Sequence, residues 1–177
     1  MGLEAAGQRP ARMSIANVAT GESVEAQFNP TEFEEALEVN WARQTVPGLS
    51  HQPLQFVNTG NARFTLDLNF DAQDATTTIE DVLFARRFLQ SLCYPRRGAE
   101  DVAGGGPPRV LFVWPNVIAL TCVLTGLSLK YGRFALDGTP TQFTAKVALE
   151  EIRDVRLLSE DVLADGTRRS GAAPGGT

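Results

Sequence analysis

The sequence predicts a mainly β domain of the α+β class with one helix, and three features predict it. Phe64, Leu66, Leu68 and Phe70 alternate with Arg63, Thr65, Asp67 and Asn69, and Phe143, Ala145, Val147 and Leu149 alternate with Gln142, Thr144, Lys146 and Glu150. A period of two belongs to strands with one buried and one wet face. Only Ile79 to about Leu92 places apolar residues at helical spacing. Strand patterns flank that helix without βαβ alternation, so the sheet is expected to be mostly antiparallel. Periodicity alone supports a β-barrel or sandwich plus a helix.

In chain order, Met13, Ile15 and Val18 supply one arm of a hairpin, Thr20-Gly21-Glu22-Ser23 its turn, and Val24 to Phe28 its return. Pro30 has no backbone donor, and it pushes Asn29 into an extended conformation, so the chain must turn there. Phe28 and Phe33 flank the turn as aromatic anchors that would clamp the corner onto a core. Such a corner also occurs in ordinary β proteins. Ala36 to Trp41 alternates as a strand does. Thr45 to Pro53, with two prolines and Gly48, is a projecting loop.

Thr76-Thr77-Thr78 offers an N-cap for the helix, with Glu80 and Asp81 in its first turn. Its apolar arc, Ile79, Val82, Leu83, Ala85, Leu89, Leu92 and Cys93, is wider than one sheet face requires. Phe84 and Phe88 at the arc's edge suit either a neighbouring subunit or a covering loop. Tyr94-Pro95 stops the helix, and Arg96 to Pro108 reads as a flexible loop. Its glycine triplet is no phosphate cradle, because neither Gly-Lys-Ser nor Gly-Lys-Thr follows and a strand comes next.

Arg109 to Trp114 is that strand. Val117 to Lys130 is a longer one, whose apolar phase shifts around Thr125-Gly126-Leu127 as a bulge or bend would require. Asp137-Gly138 signals the hairpin to the return strand at Phe143–Leu149. The expected organisation is a flexible N-terminus over 1–10, a barrel domain over 11–160, and a disordered Gly-rich tail over 161–177.

Composition narrows the function. The 177 residues suffice for one domain with one core, and 43% hydrophobic with 21% charged residues is ordinary for a globular protein. No apolar run reaches the roughly 18 residues of a membrane helix. Met1 to Arg12 lacks an apolar signal region, so the product is expected to begin in the cytoplasm. A net charge of -5 argues against a nucleic-acid surface. Cys93 and Cys122, both in apolar surroundings, read as buried free thiols.

Enzyme chemistry is not evident. The sole histidine, His51, has only Ser50 beside it, too little for a triad, and no second His or Cys stands at metal-ligand spacing. Asp71, Asp74, Glu80 and Asp81 cluster near the helix start, where carboxylates are favoured without any metal. No cofactor is expected.

Phe28-Asn29-Pro30-Thr31-Glu32-Phe33, followed by Val39-Asn40-Trp41, Pro53-Leu54-Gln55-Phe56 and Phe64-Thr65-Leu66-Asp67-Leu68, resembles the tube-baseplate adaptor, or tube-initiator, proteins of extracellular contractile injection systems. The resemblance runs from about Ile15 to Ile152. It implies an antiparallel split β-barrel of the injection-system tube-protein type with one helix. It also implies a homo-hexameric ring that contacts inner tube, spike and baseplate proteins within a phage-tail-like particle. Neither nucleic acid nor, in the resting particle, membrane is an implied partner. Longer members carry a LysM-like module where this chain has its Gly-rich tail, so cell-wall binding is not carried over.

Within that frame Phe28, Asn29, Pro30, Phe33 and Trp41 form the structural motif. Val46, Pro47, Leu49, Phe84 and Phe88 are candidate subunit contacts, and Arg63, Thr65, Asp67 and Asn69 candidate channel-facing residues. Three functions stay open: a structural ring subunit, a carbohydrate- or peptide-binding β module using Trp41 and Trp114, and a small hydrolase.

Overall fold

The computed structural model describes residues 11–95 and 105–153. The terminal segments 1–10 and 161–177 and most of the Arg96–Pro108 loop fall outside the described residues.

The described chain runs β1 (Ser14–Asn17), β2 (Ser23–Glu25), β3 (Phe33–Ala36), β4 (Val39–Arg43), β5 (Leu54–Thr59), β6 (Arg63–Asp71), α1 (Ile79–Ser91), β7 (Val110–Trp114), β8 (Ile118–Phe134) and β9 (Pro140–Glu151). Seven strands form one antiparallel sheet in the order β2-β1-β7-β8-β9-β6-β3, and β4-β5 is a separate two-stranded sheet. The fold is therefore mainly β with one helix, as expected.

The two alternating stretches form the centre. β6 and β9 pair with Phe64 opposite Leu149, Leu66 opposite Val147, Leu68 opposite Ala145 and Phe70 opposite Phe143. All eight are buried, and α1 lays Val82, Ala85, Phe88 and Leu89 into the same core. The helix begins where the threonines place it. Thr78 Oγ1 accepts from Asp81 N–H at 3.2 Å, and Asp81 Oδ2 accepts from Thr78 N–H at 2.8 Å, a reciprocal capping box.

The sheet curls. Phe33, on the edge strand β3, stacks on Phe64 of β6 at 5.6 Å but also on Phe112 of β7 at 5.9 Å, with Trp114 edge-on at 5.8 Å. Three strands separate β3 from β7 in the sheet order, so only a rolled sheet brings these rings together. The curling is the half-closed form of a split barrel.

β8 shifts register between Leu124 and Gly126, where the sequence phase changes. At the next turn Gly138 adopts φ +83°, its N–H reaches Ala135 O at 3.0 Å, and Ala135 N–H reaches Thr139 O at 2.8 Å.

Several expectations are corrected. Phe28 is 52% exposed and does not clamp the core; the corner is held by its amide side chains instead. The stretch Ala36–Trp41 is not one strand, because the pairing with β6 ends at Ala36 and Val39 opens a different sheet. Phe88 is 4% exposed within its own core and so is not a subunit contact. Cys93 is exposed; only Cys122 is buried. Val18 points into solvent rather than joining Met13 and Ile15.

Candidate assembly interface

The Asn-Pro corner is built from two amides. The last backbone bond of the first hairpin, Ala26 N–H to Met13 O, is 2.7 Å long. Pro30 lies beyond it with no donor, and Asn29 takes over the pairing: its Oδ1 accepts from Met13 N–H at 3.0 Å and its Nδ2 donates to Ala11 O at 3.0 Å. Gln27, buried, ties the corner to the far end of β6. Its Oε1 accepts from Asp71 N–H at 2.7 Å, and its Nε2 donates to Asp71 O at 2.9 Å and to Asp74 Oδ2 at 3.1 Å. The Gln27 bond, with Thr76 second, holds the Asp74 carboxyl below its usual range. The sequence places Asn29 in the motif for its position before Pro30, not for its side-chain bonds, and gives no sign of Gln27.

The projecting loop is the tip of the β4-β5 hairpin. Gln44 N–H bonds to Pro53 O at 3.1 Å below the tip, Gly48 turns at φ +90°, and Gly60 N–H bonds to Glu38 O at 2.8 Å at the base. The register shifts at Asn40/Trp41. Trp41 meets Phe56 edge-to-face at 5.5 Å, yet each ring stays 51% exposed. Val46, Pro47 and Leu49 sit exposed at the tip. The hairpin's contacts are chiefly internal, so it stands off the barrel.

The wet face of β6 is paired across to β9. Arg63 lies 3.5 Å from Glu150 and 3.8 Å from Glu38, Asp67 stands opposite Lys146, and Thr144 Oγ1 donates to Asn69 Oδ1 at 2.7 Å. Thr65 faces Ala148. The four candidate channel residues thus share one face of the sheet.

Phe84 stacks on Phe88 at 6.1 Å but remains 43% exposed. It borders a groove of about 390 Å³ between α1 and β2, whose walls include Val24, Phe70 and Ala85, and whose rim carries Glu25 and Asp81.

No catalytic arrangement emerges among the described residues, and no group of His, Cys, Asp and Glu there has the geometry to hold a metal. The clustered carboxylates have structural work: Asp71 accepts from Gln73 N–H and pairs with Arg133 at 3.5 Å, and Asp81 caps the helix. Burial, with Glu151 adding, pushes the Cys122 thiol up to about 12, the opposite of an activated nucleophile. Trp114 packs edge-on against Phe33 while Trp41 sits out on the hairpin, so the two tryptophans line no common groove. No helix of the described residues is long and apolar enough to cross a membrane.

A family model described as contractile injection system tube protein matches residues 11–159. No curated protein matches. Among solved structures, a chain of the cryo-EM structure of the anti-feeding prophage baseplate, 6-fold symmetrised, is similar at 13% identity and a TM-score of 0.32, covering 89% of this chain and 97% of that one.

Proposed function

Because the chain belongs to the contractile injection system tube protein family and has a structural role in such a system, we propose that it is the ring subunit that joins the inner tube to the spike and baseplate. The observation that carries this reading is the combination of an open curled sheet, edged by β2 and β3, with a hairpin whose apolar residues stay about half exposed among the described residues. Exposed edges and apolar patches of this kind belong to surfaces that another protein covers.

On this reading the chain forms a hexameric ring, the six-fold number coming from the family resemblance. It contacts inner tube, spike and baseplate proteins, acts as no enzyme, and needs no cofactor. Val46, Pro47, Leu49 and Phe84 lie in contacts between subunits. Arg63, Thr65, Asp67 and Asn69 face the channel. Assembly takes place in the cytoplasm, and the product sits within a phage-tail-like particle. The test is the copy number and position of the chain in isolated particles. A number that is not a multiple of six, or absence from the tube-spike junction, overturns the reading.

A further inference from the structure

Resting on the reading above, we infer that the β4-β5 hairpin of one copy docks head-to-tail into the groove between β2 and α1 of a second copy. Leu37, Val39, Trp41, Leu54, Phe56 and Val57 are each 49–58% exposed. On one face of the hairpin Val39, Trp41, Leu54 and Phe56 form an apolar patch of the kind a partner covers. An isolated two-stranded hairpin is marginal in water, so this one needs a surface to lie on.

The groove supplies the receiving surface. Phe84 is its exposed apolar ring, set among Arg12, Ser23, Glu25, Thr76 and Thr77 over a buried floor of Val24, Phe70 and Ala85, and β2 alongside it is the unpaired end of the sheet. Charge agrees with shape. Arg43 shares a strand face with Trp41 and has no counter-charge among the described residues, while Glu25 on the rim has only Arg12, at a loose 3.9 Å.

Geometry excludes docking within one copy. The hairpin leaves the barrel at the Arg63 end of β6, beside Gly60, whereas the groove lies at the Phe70 end. Eight residues of strand put about 25 Å between them. A projection at one end and a receptor at the other make a heterologous contact, the kind that closes into rings or propagates into stacks. A two-fold dimer is not what these surfaces form.

The test uses full-length chain with Cys93→Ser, which removes the exposed native thiol, and carries Phe56→Cys or Phe84→Cys; both rings are exposed enough to be replaced without unfolding the domain. Mild oxidation of the two variants mixed is expected to give a cross-linked dimer, and either variant alone none. A chain carrying both substitutions is expected to give a ladder. Absence of the mixed dimer, or Phe56→Cys coupling to itself, overturns the inference. The same variants in isolated particles separate the two claims. Particles that hold the chain but show no 56–84 cross-link sink the docking and leave the ring subunit standing, whereas absence of the wild-type chain from particles sinks the ring subunit itself.

Discussion

At the scale of single residues, the corner is an arrangement of amides first and aromatics second. Asn29 replaces two ladder bonds that Pro30 cannot extend, so Asn29→Ala should lower stability by about 1–2 kcal/mol, the cost of leaving Met13 N–H and Ala11 O without these partners. Asn29→Asp should be no better, since it keeps an acceptor for Met13 but sets a carboxylate against the Ala11 carbonyl. Chemical denaturation of both variants checks this, and a midpoint equal to wild type for either would sink the account. The two flanking aromatics should separate cleanly. Phe33→Ala removes a ring stacked on Phe64 and Phe112 and should cost about 3 kcal/mol, whereas Phe28→Ala, half in solvent, should stay within about 0.5 kcal/mol. The thiols should separate too. Cys93 is exposed, so a small alkylating reagent at mildly alkaline pH should modify it in the folded chain and leave Cys122 intact. The Cys122 thiol is raised from an ordinary 9.0 to about 12, so the folded state holds its proton where the unfolded state loses it. Its contribution is complete below about pH 9 and fades as pH rises from there through about 12. Denaturation midpoints that hold constant across that window would contradict the burial of this thiol.

Among the elements, those with a strong local pattern were legible from the chain and those decided by tertiary pairing were not. β6, β9 and α1 follow directly from their period and cap, and Gly138 marks its turn because a residue with φ of +83° favours glycine. The break between β3 and β4 left no comparable trace. Leu37-Glu38 fits the alternation on both sides, and what ends β3 is that β6 stops pairing at Arg63. β5 was hidden for a related reason: Leu54-Gln55-Phe56-Val57 has apolar residues on both faces, and none of the six residues of β5 is buried. Phe88 stands at the edge of the helical arc read from the sequence, but the buried stripe of α1 runs through Val82, Ala85, Leu89 and Leu92 and leaves Ile79 exposed, so Phe88, three residues after Ala85, falls within it. The hairpin's separate sheet predicts separate dynamics. In the free chain, amides of residues 39–59 should exchange with solvent far faster than those of β6 and β9, and they should become protected on assembly into particles. Equal protection in the free chain would show that the hairpin belongs to the barrel's cooperative unit after all.

For the molecule as a whole, the decisive asymmetry is between its surfaces. Strand alternation gives the sheet one apolar face and one polar face, and α1 with the curl of β3 commits the apolar one to the core. On the other, Arg63 stands between Glu150 and Glu38, Asp67 stands opposite Lys146, and Thr144 donates to Asn69, so carboxylates outnumber cations among these residues. The hairpin face around Trp41 and Phe56 and the exposed ring of Phe84 are apolar instead, which suits contact with protein and not with a water-filled channel. If these assignments hold, the polar face is wet but confined in the assembled particle. In a Cys93→Ser background, Asn69→Cys should react with both a small maleimide and a large polymer-linked maleimide in the free chain. In intact particles it should react only with the small one, which can diffuse along the channel. Equal reaction with the large reagent before and after assembly would place Asn69 on the outside of the particle. Loss of reaction with both would place it in a subunit contact, and either result would remove the face from the channel.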